Sequence, residues 1–165
     1  MNTLCLICIV QVLVLLLAAN GMPILINKLL AHRLAYPVDN GIKLSDSYRL
    51  FGNTKTWRGL FSAICVTMVL AMLYKMPFFT GVVFGILTML GDLLASFSKR
   101  RLGHTESSHA RGLDTVPESL LPIVILKESL ALSVIDIILI VGIFFLIEEF
   151  VSPILYRWHI RNQPY

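Results

Sequence analysis

Charged residues are scarce in this sequence. Only 15% of its 165 residues are Asp, Glu, Lys or Arg, whereas 56% are apolar. A soluble globular domain carries about 25% charged residues. The apolar residues also stand in long runs, and in a bilayer such runs satisfy their backbone hydrogen bonds as helices. We therefore expect an all-α, polytopic membrane protein that forms a single domain over residues 1–165.

Cysteine is also rare, with three residues. Cys5 and Cys8 lie one helical turn apart in an apolar run, and Cys65 lies in another. No further Cys or His accompanies them at the spacing of a metal site. We interpret all three as small apolar side chains that face lipid or neighbouring helices, and we expect no disulfide framework.

Several motifs are missing. The sequence has no GxxxxGK[ST] run, which argues against a P-loop ATPase. It also has no DGxxAR…GxxxD run, which a CDP-alcohol phosphotransferase would be expected to carry. No basic residue precedes the first apolar run, so we interpret that run as a retained transmembrane helix and not as a cleaved signal peptide.

Five apolar runs predict about five transmembrane helices, since a span needs about 20 apolar residues. The predicted spans are 4–30, 57–74, 78–97, 115–127 and 130–150. Gly21 and Pro23 interrupt the first span and predict a kink there. Asn20 lies at this break, where its side chain either satisfies backbone groups freed by the kink or contacts a substrate.

Two polar loops, 31–56 and 98–114, separate the spans and are expected to form the functional site. With five spans, most positive charges fall on one side of the membrane: Lys28, Arg33, Lys43, Arg49, Lys55, Arg58, Lys99, Arg100, Arg101, Arg111, Arg157 and Arg161. Lys75 and Lys127 fall on the other. The positive-inside rule then predicts a cell-membrane protein whose N-terminus is outside and whose loops and C-terminus are cytoplasmic. Orientation explains the net charge of +4, so we expect no nucleic-acid partner.

Asp92 lies inside the third apolar run. A charge in hydrocarbon costs about 2.5–3.5 kcal/mol on insertion scales, so it normally faces a partner, a cavity or an ion. On a helix, Asp92, Ser96 and Lys99 are spaced i, i+4, i+7 and share one stripe, with Arg100 beside it. The stripe is either a structural Asp–Lys pair at a helix end or, as we favour, part of a site for a metal and a polyphosphate.

Asp114 and Glu118 follow the second loop and share a helical face at i, i+4. The run from Thr115 to Glu118 has the pattern of a capping box, with Thr115 as N-cap and Glu118 at N3. For Glu118 this capping role is favoured over a metal-binding role. Asp114 lies outside the box, and together with Asp92, phosphate oxygens and water it would form a Mg²⁺ site.

Positive residues lie on the same predicted side of the membrane as these carboxylates. They are Lys55, Arg58, Lys99, Arg100 and Arg101. Cations near a bilayer often contact only anionic lipid. Here Gly52 and Gly59 bracket the segment 55–58 and permit a close backbone approach. Fixed cations and a metal stabilise the charge that spreads over phosphate oxygens during phosphoryl or nucleotidyl transfer, and we expect that chemistry.

The remaining polar residues are weaker candidates. His104 and His109 flank Glu106 in the second loop. They are either a labile metal site or, as is more common, ordinary polar residues of an exposed loop. We expect Asp136, in the fifth span, to make a buried hydrogen bond to another helix, with a substrate role second. We interpret Glu148-Glu149 as interfacial charges.

Three motifs occur in a fixed order along the chain. KTWRG occupies residues 55–59, GDLLASFSKRR occupies 91–101, and Gly112-Leu113-Asp114 follows. In combination they resemble the CDP-archaeol synthase family, which is related to the CDP-diglyceride synthetases (phosphatidate cytidylyltransferases). The resemblance covers nearly the whole chain, including the five-span layout. Related enzymes carry a second acid shortly after the one that matches Asp114, whereas this chain has Glu118 one position later.

This resemblance implies a membrane enzyme that converts CTP and a lipid phosphate to a CDP-activated lipid and pyrophosphate, with Mg²⁺ as cofactor. It implies that Asp92 and Asp114, with Glu118 as a third candidate, bind the metal. The implied catalytic set is Asp92, Asp114, Lys99 and Arg100. The implied nucleotide- or phosphate-binding set is Lys55, Thr56, Arg58, Ser96 and Arg101.

A non-enzymatic alternative is a small membrane scaffold or transporter subunit in which the acids and bases form ion pairs. It predicts no CTP-dependent thermal stabilisation and no Mg²⁺ requirement. The sequence leaves open whether the lipid is phosphatidate-like or an archaeal-type ether lipid, and whether the protein is an oligomer.

Overall fold

The described part of the chain is helical. A computed structural model of the protein describes residues 4–30, 33–44, 48–104 and 112–157, with the backbone alone for 151–157. Within these ranges there are five helices: α1 Leu6–Leu30, α2 Trp57–Leu73, α3 Phe78–Arg101, α4 Thr115–Ile125 and α5 Val134–Arg157. Strand-like pairing in these ranges is limited to two isolated bridges, Pro37 with Thr56 and Lys43 with Arg49. The predicted all-α class is confirmed.

Helices α1 and α3 are long and apolar enough to cross a membrane. They contain 25 and 24 residues and are therefore about 36–38 Å long, against a hydrocarbon core of about 30 Å. Helices α2 and α4 are also apolar but shorter, with 17 and 11 residues. Helix α1 continues through Pro23 to Leu30, so the predicted kink stays a prediction.

Several helix boundaries differ from the predicted spans, most of all those of α3 and α5, and the backbone of α5 continues beyond 150 to Arg157. Helix α3 continues past Phe97 to Arg101, so the basic cluster lies on the helix and not in the loop. Lys and Arg are good helix formers, and positive charge at a helix C-terminus is favourable. Helix α5 begins at Val134, four residues later than expected, because residues 126–131 form turns.

The helices pack around one main apolar cluster. Its completely buried members come from α1, α3, α4 and α5: Val12, Leu15, Leu16, Phe84, Ile123, Ile140 and Phe144. The outer faces expose other large apolar side chains, including Ile7, Phe61, Phe79 and Ile138. Large exposed apolar side chains on several helices are unusual for a soluble monomer, whereas they suit contact with lipid.

Glycine brings α2 and α3 into close contact. A Cβ added at Gly81 would lie 2.6 Å from the Ala71 Cβ, and one added at Gly85 would lie 2.8 Å from the Ile64 Cα. Gly81 and Gly85 are spaced i, i+4, so both face α2. In lipid, small residues on one helix face let backbones pack closely, and this van der Waals contact drives helix association.

The bundle has one end at which the chain turns tightly. There the Cys5 N–H donates to Asp136 Oδ1 at 3.3 Å, and Tyr74, Met76 and Leu126 pack on the same apolar cluster. The start of α1, the α2–α3 turn and the α4–α5 turn therefore share this end. The end of α1, the start of α2, the end of α3 and the start of α4 lie at the opposite, polar end.

The cysteine interpretation was wrong in one respect: Cys5 and Cys8 form a disulfide. Their Cα atoms are 5.2 Å apart at the start of α1, a separation that a disulfide bridges without distortion of the backbone. Cys65 is an exposed free cysteine on α2, as expected of a small residue on an outer face.

The predicted capping box at α4 was also wrong. Thr115 is the first residue of the helix, and the preceding cap position, Asp114, makes no side-chain capping bond. A capping box forms instead at α5, where Ser133 Oγ accepts from the Asp136 N–H at 3.2 Å and Asp136 Oδ2 accepts from the Ser133 N–H at 2.9 Å. The Cys5 N–H, immediately before α1, also donates to Asp136, which is buried, so the hydrogen bond expected from Asp136 to another helix is made at the start of α1.

Candidate active site

Lys55 and Asp92 form an ion pair at the polar end of the bundle. Lys55 Nζ lies 2.6 Å from both carboxylate oxygens of Asp92. The two side chains are 24% and 21% exposed, so the pair is shielded from bulk water but remains accessible. Lys55 lies near the end of the first polar loop, and Asp92 lies in α3. The partner of Asp92 therefore comes from the KTWRG segment and not from Lys99, which is two helical turns away along α3.

A second ion pair joins the same helix to α4. Lys99 Nζ lies 2.7 Å from Asp114 Oδ1, and the two side chains are 11% and 37% exposed. Lys99 lies in the last turn of α3, and Asp114 immediately precedes α4. The two acids predicted to share one site thus each contact a lysine.

Glu118 is a buried carboxylate in the same region. It is 6% exposed and accepts a hydrogen bond from Asn20 Nδ2 at 3.1 Å. It interacts electrostatically with four charged residues: Asp92, Glu148, Lys55 and Asp114. The side chain of Glu118 thus bonds to α1, and within the part of the chain that the structure describes no side-chain capping bond forms at the start of α4.

Gly91 is the reason that α3 and α4 approach closely at this point. A Cβ added at Gly91 would lie 2.5 Å from the Glu118 Cα and 2.6 Å from the Pro117 carbonyl carbon. Both are backbone atoms, so no side chain larger than hydrogen fits without moving a helix. The glycine before Asp92 therefore brings the backbone of α4 against α3 beside the Lys55–Asp92 pair.

The other predicted phosphate ligands hold different positions. Arg58 Nε donates to Asn27 Oδ1 at 3.0 Å and ties α2 to α1. Arg101 lies over the Phe97 ring, 5.2 Å from its centroid, and donates to the Arg49 carbonyl oxygen at 2.9 Å. These two arginines thus support the frame of the site.

Thr56, Ser96 and Arg100 are buried, each about 5% exposed. The Thr56 hydroxyl oxygen is buried and has no hydrogen-bond partner among the residues that the structure describes. Thr56 is the residue before α2 but makes no side-chain capping bond. Its hydroxyl, next in sequence to Lys55, therefore retains its capacity for a further hydrogen bond.

The first polar loop is organised around Asp39. The side chain of Asp39 is completely buried and accepts hydrogen bonds from the backbone N–H groups of Gly41, Phe51 and Gly52 at 3.0–3.2 Å and from the Arg49 guanidinium. Burial alone would raise the pKa of Asp39, but the hydrogen bonds from Arg49 and the three N–H groups outweigh it and lower the pKa to about 2. The carboxylate is therefore ionised at neutral pH.

Sequence reasoning missed three parts of this region. The Asn20 side chain donates to Glu118 Oε1 at 3.1 Å, a contact that the sequence did not indicate, and a contact of Asn20 with a substrate stays a prediction. Glu148, interpreted as an interfacial charge, interacts with Glu118. Asp39 was not among the predicted site residues. His104 is exposed, and Glu106 and His109 lie outside the described residues.

The oxygen donors that could hold a metal are the carboxylates of Asp92, Asp114 and Glu118. Within the described ranges, no group of three or more His, Cys, Asp or Glu residues is close enough to hold an ion by itself. Among the described residues, these carboxylates therefore do not form a closed metal cage by themselves.

The chain matches the family model described as CarS-like, CDP-archaeol synthase, over residues 3–165. The CDP-archaeol synthase of Pyrobaculum islandicum is 30% identical over 152 residues, which cover 89% of this chain and 91% of the relative. Those of Pyrococcus abyssi and Hyperthermus butylicus are each 38% identical, over 89 and 104 residues. These two alignments span only 53% and 59% of the relatives' lengths.

A solved structure described as an intramembrane enzyme for archaeal membrane lipids biosynthesis has the same fold. The two chains superpose with a TM-score of 0.68 at 22% sequence identity, over 86% of this chain and 90% of the other. The family model covers nearly all of the sequence and the fold agrees along most of it. This protein therefore belongs to the CarS-like CDP-archaeol synthase family.

Proposed function

We propose that this protein is a membrane-embedded cytidylyltransferase that converts CTP and a lipid phosphate to a CDP-activated lipid and pyrophosphate. The observation that carries this proposal is the pair of ion pairs, Lys55–Asp92 and Lys99–Asp114, at one polar end of an apolar helical bundle. In the proposed topology, they would bring two carboxylates and two ammonium groups to the depth of the lipid headgroups. The relatives' name, CDP-archaeol synthase, describes a product of this class.

In the proposed reaction, an oxygen of the lipid phosphate attacks the α-phosphorus of CTP. A new P–O bond forms, the bond from the α-phosphorus to the bridging oxygen breaks, and its electron pair leaves with pyrophosphate. The attacking phosphate is already ionised, so positioning and charge stabilisation supply most of the acceleration. Lys55, Lys99 and Arg100 would neutralise the triphosphate and the departing pyrophosphate.

The donor chemistry of the site fits Mg²⁺. Magnesium is usually bound by one or two carboxylates plus substrate phosphates and water, and not by an all-protein cage. Asp92 and Asp114 would hold it, with Glu118 as a third candidate that replaces the second acid of related enzymes. When bound, the ion would neutralise charge on the phosphate oxygens and orient them.

We propose five membrane crossings, with the N-terminus outside and the polar end of the bundle in the cytoplasm. Helix α4 is only about 16 Å long, so the turn at 126–133 would complete the fourth crossing. Leu130 and Leu132 in this turn are buried, and irregular backbone is tolerated at membrane depth where protein covers it. The lipid chains would lie between the helices, open to the bilayer.

The activity is tested with the purified full chain in lipid nanodiscs, supplied with CTP, Mg²⁺ and a panel of lipid phosphates. The panel contains phosphatidates and archaeal-type ether lipid phosphates, so that it also identifies the lipid class. We expect CTP-dependent release of pyrophosphate with at least one of them. No release with any member of the panel would contradict the proposal.

Asp92→Asn keeps the size of the side chain but removes the charge that pairs with Lys55, and we expect it to abolish turnover while the protein stays folded. The matched control is Glu128→Gln, which removes one negative charge from an exposed position at the opposite end of the bundle. Pyrophosphate release and thermal unfolding of both variants are measured together. Full activity in Asp92→Asn would remove Asp92 from the metal site.

Ion pairs alone would also suit the non-enzymatic scaffold or transporter subunit. The family match favours the enzyme. The two functions differ in a simple measurement, since only the enzyme predicts that CTP with Mg²⁺ raises the melting temperature of the wild-type protein.

A further inference from the structure

The segment before Asp39 is hydrogen-bonded to the segment that contains Lys55. The Val38 N–H donates to the Lys55 carbonyl oxygen at 2.8 Å, and the Trp57 N–H donates to the Tyr36 carbonyl oxygen at 3.1 Å. Residues 36–38 therefore run alongside residues 55–57. A shift of one segment moves the other.

The carboxylate of Asp39 also holds the chain just before Lys55. Phe51 and Gly52, whose N–H groups donate to Asp39 Oδ2 at 3.2 and 3.1 Å, lie only a few residues upstream. Gly52 has a φ of +97°, a conformation that side chains other than glycine rarely adopt. The backbone of Lys55 is thus held from both directions by bonds that converge on residues 38 and 39.

The same loop is fastened to the helix that carries Asp92. Arg49 donates to Asp39 with its side chain, and its carbonyl oxygen accepts from Arg101 Nη2 at 2.9 Å. Arg101 is in the last turn of α3. Contacts from Asp39 to Arg49 and from Arg49 to Arg101 therefore fix the position of the loop relative to α3. Lys55, near the end of the same loop, contacts α3 a second time through Asp92.

Only a carboxylate satisfies this arrangement. Oδ1 accepts from Gly41, Oδ2 accepts from Phe51 and Gly52, and Arg49 donates to both oxygens. An asparagine has one acceptor oxygen, and its NH₂ group would face donors in place of the other oxygen. The Asp39 side chain is completely buried, so water does not reach the site to hydrogen-bond the donors that asparagine would leave without an acceptor.

We infer that Asp39 is a positioning residue for the nucleotide: by ordering the first polar loop, it fixes Lys55 where the triphosphate binds. This inference rests on the proposed function, because Lys55 is a phosphate ligand only there. Both oxygens of Asp39 already accept hydrogen bonds from within the loop, so Asp39 acts through Lys55, and its loss should weaken the binding of CTP and leave the binding of the lipid phosphate unchanged.

The test is Asp39→Asn in the full chain in nanodiscs, with Glu128→Gln as the matched charge-removing control. We expect KM for CTP to rise roughly tenfold, as follows from the loss of one charge-assisted contact, while KM for the lipid phosphate and the melting temperature of the helices stay at their wild-type values. Exchange of the Gly41, Phe51 and Gly52 amides, measured by mass spectrometry, should accelerate. Arg49→Lys keeps the positive charge but not the donation to both oxygens of Asp39, so it should give a smaller rise in KM for CTP. It replaces Asp39→Asn as the test variant if Asp39→Asn does not fold.

The outcomes separate this inference from the proposed function. An active wild-type protein with an unchanged KM for CTP in both variants overturns the role of Asp39 and leaves the reaction standing. Equal rises in KM for both substrates would mean general damage to the fold and would also overturn it. A wild-type protein that releases no pyrophosphate removes the proposed function and, with it, the nucleotide role of Asp39.

Discussion

Replacing Gly91 by alanine tests whether the close approach of α3 and α4 holds the candidate site together. The new Cβ would lie 2.5 Å from the Glu118 Cα and 2.6 Å from the Pro117 carbonyl carbon. Ordinary contacts between carbon atoms begin near about 3.5 Å, so α4 must move by about 1 Å relative to α3. That movement would displace Glu118 and Asp114 from Asp92.

Two opposing effects decide the stability of Gly91→Ala. Alanine in place of glycine favours a helix by up to about 1 kcal/mol. Overpacking of a tight contact costs about 1–3 kcal/mol, and here the obstructing atoms are backbone and cannot turn away. We therefore expect a net loss of about 1–2 kcal/mol. A displacement of about 1 Å at a reacting centre can cost about 100-fold in rate, so activity should fall far more than stability.

The matched control is Gly142→Ala, since Gly142 is also inside a helix but an added Cβ there meets nothing within 4 Å. It should be as stable as the wild type or slightly more stable, with full activity. Pyrophosphate release and thermal unfolding in detergent, followed by circular dichroism, are compared for the two variants and the wild type. If Gly91→Ala keeps wild-type kcat/KM and melting temperature, the close packing of α3 on α4 does not organise the site.

Asn20→Ala removes the amide that donates to the buried Glu118 and should lower the free energy of unfolding by about 1–3 kcal/mol. Asn20→Asp should lower it further, because it places a second carboxylate beside that of Glu118. Thermal unfolding measures both, and equal stability of Asn20→Asp and the wild type would contradict the contact. The pKa of Asp39 is lowered from 3.8 to about 2, so its ionised form stabilises the loop fully above pH 3.8 and loses this effect as the pH falls toward 2. Amide protection at Gly52, corrected for intrinsic exchange rates, should be constant from about pH 8 to 4; a loss already near pH 6 would be inconsistent with this assignment.

Local patterns in the sequence were enough to predict the helices and to indicate which charged residues lie together at one end of the bundle. Long apolar runs become helices because a backbone in hydrocarbon has no other partners for its polar groups. The predicted third span begins at Phe78, as α3 does, and Lys55, Asp92, Lys99 and Asp114 all lie at one end of the bundle. The i, i+4, i+7 stripe on α3 needed only the helical period.

Helix ends were harder to predict, because several local solutions compete there. The pattern from Thr115 to Glu118 suits a capping box, yet Glu118 bonds to Asn20, 98 residues away in sequence. At α5, Ser133 and Asp136 do form such a box. The two patterns look alike in sequence, and only the position of a neighbouring helix distinguishes them.

By itself, the sequence determined that this chain is a helical membrane protein and which charged residues lie near its polar end, since periodicity and hydropathy act over a few residues. Only the tertiary structure decided which charges meet: Lys55 with Asp92 across 37 positions, and Glu118 with Asn20. Those pairings depend on which helices pack closely together. A glycine such as Gly91 permits close packing, but it does not determine which helix packs against it. The physical reason is that a contact between distant segments is a property of the whole packed bundle, whereas a helix is a property of its own residues.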